Sequence, residues 1–448
     1  MRGWNAERIA AAAGATLVRP ASDQAGPERA VIDSREAGAG DLFVGLPGAS
    51  GDGGRFAPQA LEAGAWGAVT TPEFAASLAG SGAVLAAEDP LRALHRLARA
   101  WRRELGAGVI GVTGSTGKTS TKDLLYAVLA AHRRTIASRG NFNTEIGLPL
   151  EILSAPAGTE VLVLEMAMRG AGQIAELVWV AEPDVGVIVS IGPVHLELLG
   201  TIEAIAAAKA ELIAGLAPGA TAVIPAGEAL LTPHLRDDLE LVTFGEGGDV
   251  TLRDADGDHL SIDLGGELLE LEVPFAQAHL RRNLLAAVAA ARAVGVIASG
   301  RVELELSPGR GQRALLPDGV VLIDDCYNAN PMSMRAALED LASTQRGEHP
   351  RRVAVLGDML ELGPREREFH AELGAAANDA ELDVLVTVGQ LAAAIADSFD
   401  GEAYPVADAG EAAALLPELL APGDAVLVKA SRGVGLEVVC RALEAGVA

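Results

Sequence analysis

The stretch "VIGVTGSTGKTSTKDLLYAVLAA", Val109 to Ala131, constrains this chain more than any other. A short apolar run reads as a buried strand, a glycine-rich loop follows, and a helical sequence takes over. That context suits a phosphate-binding loop. The backbone N–H groups of such a loop, and the N-terminus of the helix behind it, hold phosphate oxygens. Thr113, Gly114, Ser115, Thr116, Gly117 and Ser120 supply the loop and the first helical turn. Lys118 reaches terminal phosphates and Thr119 offers a hydroxyl to Mg2+. The strict G-x-x-x-x-G-K-[ST] spacing fails, because position 112 is valine. The alternative is a glycine turn ahead of an ordinary helix. Nucleotide binding alone does not say what is phosphorylated.

The rest of the chain alternates strands and helices around this unit. "EVLVLEMA" and "DVGVIVSIG" read as two further buried strands, and "GVVLIDDCY", "RRVAVLGDM", "LDVLVTVG" and "DAVLVKAS" as strands of a last unit. Strands alternating with helices imply parallel sheets covered on both faces. Ligands then gather at the carboxyl ends of the strands. With 448 residues and about 150 per domain as a guide, three domains are expected. The fold class is α/β: a mixed α/β unit over 1–103, a central phosphate-loop unit with a mostly parallel sheet over 104–314, and a Rossmann-like parallel sheet over 315–448.

Charge and cysteine usage narrow the function. The net charge is −26, so no basic face is available to neutralise a nucleic-acid backbone. An anionic ligand must be held by loops, helix N-termini, metals or a few arginines. Aromatic residues are 3%, so the cores must be built from Ala, Val, Leu and Ile. Cys326 and Cys440 are the only cysteines. They form neither a disulfide framework nor a zinc pattern, which fits a reducing cytoplasm. No signal peptide or bilayer-spanning segment is read, so a cytoplasmic enzyme, not embedded in a membrane, is expected.

Several single residues carry chemistry in this frame. Glu165 ends the apolar strand "VLVLE", where a carboxylate faces the ligand crevice and can hold Mg2+. His195 follows the strand "VGVIVSIGP" and is either a metal ligand or a hydrogen-bonded loop histidine. Lys209 lies in "TIEAIAAAKAELI" on the apolar stripe of a helix, between Ile205, Ala206, Leu212 and Ile213. Either its stem packs while its charge reaches water, or the amine is buried for a reason. "IDDCYNANPMSM" sets two acids at a strand end, then amide side chains suited to a peptide-like ligand. Alternatively, it is an Asx-rich turn with Asn330 capping the helix begun by Pro331. Arg310 and Lys429 read, singly, as surface cations.

In this order, "TGSTGKTS", "SRGNFNTEIGLPL", "LEMAMRG", "SIGPVHLELLG", "AAAKAEL", "HLRRN", "GRGQR", "DDCYNANP", "VLGDMLELG" and "VLVKASRG" resemble the Mur ligase family, ATP-dependent amide ligases of peptidoglycan precursor synthesis. The resemblance implies a UDP-sugar domain at 1–103, an ATP-binding ligase domain at 104–314, and a domain at 315–448 for the incoming amine. "IDSREAGAGDLFVGLPG", "GNFNTEIGLPL" and "DDCYNANPMSM" resemble the branch that joins D-alanyl-D-alanine to UDP-N-acetylmuramoyl-tripeptide. The alternative is the branch adding the third amino acid to UDP-N-acetylmuramoyl-dipeptide, which usually has a Tyr-Ala-His-x-Pro-like run in place of "CYNANP".

Carried over by resemblance, Lys118 is the phosphate lysine, and Thr119, Glu165 and His195 are ligands of Mg2+, with two ions expected. Lys209 matches a lysine that takes up CO2 as a carbamate and so becomes an anionic metal ligand. Asn283 matches a residue near the adenine of ATP, and Arg310 and Asp325 match nucleotide contacts across the domain junction. Ser34, Arg35 and Asp52 fall in the UDP-sugar region. Asn143 and Thr144 fall in the "GNFNTEIG" run, and Asn328, Asn330 and Lys429 where the dipeptide docks. A monomer is expected. Departures from the pattern are Gly54 in place of a usual histidine, Ala167 and Ala430 in place of glycines, and "VIPAGEALL" without the usual Asn-x-Asp.

Overall fold

The β-rich runs gather into three main sheets in chain order. The computed structural model describes residues 1–446 except 2, 22–24, 50, 345 and 348. The first sheet has five strands in the order Thr16–Arg19, Ala83–Ala86, Gly67–Thr70, Asp41–Val44, Arg29–Val31. Only the edge pair Thr16–Arg19 with Ala83–Ala86 is antiparallel. The third sheet has six strands, five of them parallel, with Ala425–Lys429 between Val321–Asp324 and Arg352–Gly357.

The central sheet has ten strands and departs from the simple parallel picture. Its core is parallel, with Gly108–Thr113 between Val185–Ile188 and Val161–Glu165. Beyond Glu240–Phe244 it continues as the antiparallel strands Val250–Asp256, His259–Leu264 and Glu267–Glu272. They join through tight turns at Gly257 and at Gly265–Gly266, and His259–Leu264 alternates buried with less buried residues, a hairpin pattern that the sequence reading passed over. The strand Glu402–Val406 at the edge of the third sheet was also not anticipated.

The helix Pro90–Leu105 runs across position 103, and the strand Gln312–Leu315 already pairs with Val321–Asp324 of the third sheet before position 315. The first two units share one apolar core, which holds Trp4 and Leu42 together with Trp101, Leu148 and Leu164. Trp4 and Trp101 meet edge to face at 5.5 Å. The third unit has its own cores on the two faces of its sheet. Alanine replaces the missing aromatics: Ala286, Ala287, Ala289, Ala290 and Ala291 are all buried on the helix Ala278–Ala293, which lies against the phosphate-loop helix Lys118–Ala130. Small side chains let the two backbones approach closely, at interior packing density. Among the described residues no helix is long and apolar enough to cross a membrane.

Register places the chemistry. Glu165 aligns with Val112, and Ile188 with Thr113. The carboxyl ends of three adjacent strands therefore open onto one crevice, where chain order reverses across the sheet. In the third sheet Asp324 aligns with Val428, and Leu356 with Lys429. Its own carboxyl edge faces that crevice.

Candidate active site

The phosphate loop is held open by its own backbone and by the segment after Val185–Ile188. Gly117 has φ +81°, a left-handed conformation that only glycine takes without strain. A Cβ there would also lie 2.9 Å from the Asn283 side chain, so Asn283 packs directly on the loop. The Thr116 N–H donates to Ser190 Oγ at 2.9 Å, and the Ser115 hydroxyl donates to the Gly192 carbonyl at 3.0 Å. Thr113 Oγ1 donates to the Met166 carbonyl at 2.8 Å, and Ser120 is half-buried on the first helical turn.

Two lysines converge on one carbonyl. Lys118 Nζ donates to the Gly114 oxygen at 2.7 Å and Lys209 Nζ to the same oxygen at 3.0 Å. Lys209 is 2% exposed, so its charge does not reach water and the packing-stem alternative is overturned. The helix itself forms as expected, over Ile202–Gly215, with Thr201 accepting from the Ala204 N–H as its cap. Burial pushes the Lys209 amine well below its ordinary range, and Lys118 beside it adds to the effect. Burial also lowers Lys118, partly offset by Glu165.

Glu165 is buried, and one of its oxygens accepts from Asn143 Nδ2 at 2.8 Å. The other, Oε2, has no hydrogen-bond partner among the described residues. A carboxylate oxygen left bare in a buried place is costly unless a cation or donor arrives. It lines a cavity of about 260 Å³ with Thr119, Asn143, Arg310, Tyr327 and Arg432. An orphaned carboxylate, a threonine hydroxyl and a nearby imidazole are a hard, oxygen-rich donor set that fits Mg2+.

His195 lies close enough to feel the charges of Lys118 and Lys209, and a partner that the sequence reading did not single out holds it there. Its Nδ1 hydrogen-bonds the Glu361 carboxylate, from the third unit. The Glu197 N–H also donates to the Glu361 carbonyl at 3.2 Å. His195 and Glu361 both have positive φ, 54° and 64°. Such backbone is uncommon outside glycine and costs roughly 1–3 kcal/mol per residue. A carboxylate on one imidazole nitrogen leaves the other, Nε2, for a ligand, the usual arrangement around a metal-binding histidine. Burial lowers the His195 pKa, and Glu361 opposes the shift. Nearby, a Cβ on Gly192 would lie 1.8 Å from Met332 Sδ. The second and third units therefore meet without a gap there.

The third unit brings its predicted residues to the same junction. Lys429 is 2% exposed and pairs with Asp325 at 2.6 Å. It also donates to the Asn328 carbonyl at 3.0 Å, so the surface-charge alternative for Lys429 fails. Arg310 is half-buried and its guanidinium covers the Tyr327 ring at 4.2 Å, with Arg432 at 5.0 Å. Asn330 caps Pro331–Ala342: its side chain accepts from the Ser333 N–H at 2.9 Å and closes a capping box. That is the Asx-turn alternative, realised. Asn328 is exposed beside it.

Among the described residues, the N-terminal candidates hydrogen-bond within their own unit. Ser34 Oγ donates to Gln59 Oε1 at 2.9 Å, and Arg35 Nε donates to Asp33 at 2.9 Å. The hydrogen bonds from Arg35 lower Asp33 to about 2. Asp52 accepts from the Gly54 N–H at 2.7 Å and caps the short turn Gly53–Phe56. The missing histidine at position 54 has a steric reason: a Cβ there would lie 2.7 Å from the Phe74 ring. Thr144 is exposed, and its carbonyl accepts from the Leu148 N–H. A larger cavity, about 1070 Å³, lies beside the edge strand Thr135–Ala137 and includes none of the predicted residues.

Comparison with known proteins gives matches in all three units. Residues 30–102 match the Mur ligase family catalytic domain, 112–291 the Mur ligase middle domain, and 309–432 the Mur ligase glutamate ligase domain. The UDP-N-acetylmuramoyl-tripeptide--D-alanyl-D-alanine ligase of Synechocystis sp. is 40% identical, over 91% of this chain and 90% of that protein. The protein of the same name from Bacillus subtilis is 37% identical, over 96% and 95%. The crystal structure of MurF from Acinetobacter baumannii superposes with a TM-score of 0.88 at 29% identity, covering 98% of this chain and 99% of that one. MurF ligase from Thermotoga maritima in complex with ADP gives 0.83 at 33% identity, covering 94% and 98%. Taken with the phosphate loop and the buried lysine pair, these matches settle the affiliation: the chain belongs to the Mur ligase family.

Proposed function

We propose that this chain is an ATP-dependent amide ligase that joins D-alanyl-D-alanine to UDP-N-acetylmuramoyl-tripeptide, with ADP and phosphate as products, acting as a single chain in the cytoplasm. The observation that carries the reading is the match over more than nine-tenths of the chain to relatives bearing that one activity in their names, at 31–40% identity. The branch that adds the third amino acid is less favoured, because "CYNANP" forms a capped turn at the junction and carries no histidine.

The γ-phosphoryl group passes to the terminal carboxylate of the tripeptide, giving an acyl phosphate. The amine of the dipeptide attacks that carbonyl, the nitrogen gives up one proton, the tetrahedral intermediate expels phosphate, and the amide forms. Lys118 and the loop N–H groups stabilise charge on the group in transfer. Asn283, packed on Gly117, supports the nucleotide end of the loop. Thr119, Glu165, His195 and Lys209 would hold Mg2+, which when bound neutralises phosphate charge. Arg310 and Asp325 face the nucleotide across the junction of the second and third units.

Lys209 enters as a carbamate. Its amine is buried beside another cation, which favours the neutral form. A neutral amine adds CO2 to give R–NH–COO⁻ and one released proton. The product is an anion next to Lys118, so a repulsion becomes an attraction and a further metal ligand appears. Ser34, Arg35 and Asp52 are assigned to the UDP-sugar, and Asn143, Thr144, Asn328, Asn330 and Lys429 to the two peptide substrates.

Phosphate release with each substrate omitted in turn tests the activity. Hydrolysis of ATP that ignores both omissions overturns it. Competition between D-alanyl-D-alanine and free amino acids, with tripeptide and dipeptide acceptors, separates the two branches.

A further inference from the structure

The chain's only two cysteines meet in the third unit, together with an acid. Asp324 ends the strand Val321–Asp324, Cys326 lies on the turn after it, and Cys440 lies on the last helix, Glu437–Ala445. A carboxylate oxygen and the two sulfurs lie within 4.8 Å of one another. Both cysteines are free and buried. Lys429 pairs with Asp325, not with Asp324, which accepts the Cys326 N–H at 3.2 Å. Asp324, Cys326 and Glu437 all line the 260 Å³ cavity. Glu437 precedes Cys440 by three positions on one helix, so both project from the same face.

Two sulfurs and a carboxylate at this spacing form a soft donor set of the kind that selects zinc-class ions over Mg2+. We propose that Asp324, Cys326 and Cys440 form a binding site for a thiophilic divalent cation, with Glu437 or a water from the cavity in the fourth position, and that filling it slows the ligase. Binding converts two thiols to thiolates and releases two protons. The hydrogen bond with Cys326 and burial push the Cys440 thiol up, so without a cation that thiol stays protonated. The link to catalysis is the next residue. Tyr327 carries Arg310 and Arg432 on its ring, and drawing Cys326 toward a metal shifts that platform. Metal binding stands apart from the ligase reading, on which only the inhibition rests.

The test uses the reduced, metal-free full chain. Co2+ is titrated while thiolate-to-cobalt charge-transfer absorption is followed, and Zn2+ is then used to displace it. Ligation rate is measured against Zn2+ at saturating Mg2+. One equivalent of Co2+ should give the absorption, and Cys440→Ala should abolish it while keeping the basal rate. The Zn2+ concentration for half-inhibition should rise at least ~10-fold in that variant, the loss that even an outer-shell change can cause. Absence of the absorption in the unaltered chain overturns the site. So do absorption and inhibition unchanged in Cys440→Ala. If that variant fails to fold, Asp324→Asn keeps both thiols and the side-chain shape; it must weaken Co2+ binding, and unchanged binding overturns the site equally.

Discussion

The cleft between the second and third units and the surface of the first unit are built on opposite principles. In the cleft, polar groups are buried and left short of partners. Glu165 has a bare oxygen, Lys209 shares one carbonyl with Lys118, and His195 and Glu361 hold strained backbone against each other. In the first unit, Ser34, Arg35 and Asp52 each have a local partner and an unstrained turn. Frustration of this sort costs stability and persists where the surrounding fold over-determines it. The contrast teaches that reacting charge is expected in the cleft, whereas the role proposed for the first unit, ligand recognition, needs no such charge.

The strongest way to break that contrast is to remove the loop cation. Lys118→Ala should lower kcat by ~10²–10³-fold, the scale for losing one group aimed at transition-state charge; steady-state phosphate release checks it, and a loss below tenfold would place Lys118 among the merely structural residues. Lys209→Ala should cost about 10²-fold on the same scale. Added short carboxylates should restore part of the rate, and Lys209→Glu should work independently of bicarbonate. Unrestored activity in both would return Lys209 to a packing role.

Glu361→Gln probes the contact between units. Rate should fall by ~10–100-fold, as for partners of metal-bound histidines, with weaker Mn2+ binding in titration calorimetry. Glu361→Asp should recover part of both. Acid offers a gentler test inside the third unit, at Met359, two residues from Glu361. The His370 ring accepts the Met359 N–H at 2.8 Å through Nε2, so it must be neutral there. Burial lowers its pKa below the ordinary 6.5. The unfolded chain then binds the proton first, so stability is complete above pH 6.5 and falls as pH drops from there through the folded value. Thermal unfolding from pH 8 to 5 should show that slope, and His370→Gln should flatten it. The smallest effect is expected at Asp52. Asp52→Ala removes a cap worth about 1 kcal/mol and should raise KM for the UDP-sugar substrate with kcat nearly unchanged. A large fall in kcat would erase the distinction between the two regions.

Local chemistry was legible where one segment carries all of its own information. The phosphate loop needs only a strand, glycines, Lys118 and Thr119 in succession, and the capped helix at Asn330 needs only four consecutive residues. Lys209 was legible as an anomaly, because helical spacing puts it on an apolar stripe. The readings that failed were those depending on distant neighbours. Lys429 passed for a surface cation because nothing adjacent announces Asp325. Glu361 lay inside a quoted run without being singled out, since no periodicity marks a residue whose partner is His195 in another unit. The Asp324–Cys326–Cys440 cluster has no spacing pattern to read.

The sequence by itself determined the three-unit α/β plan, the nucleotide loop and the place of the reactive strand ends. These follow from hydrophobic period and turn chemistry, which act within a few residues. Only the tertiary structure decided which charges are buried, which carboxylate oxygen lacks a partner, and which unit supplies the contact to His195. Burial and pairing are properties of surfaces brought together from far along the chain, and the free energy of a charge depends on those surroundings more than on its own sequence neighbours.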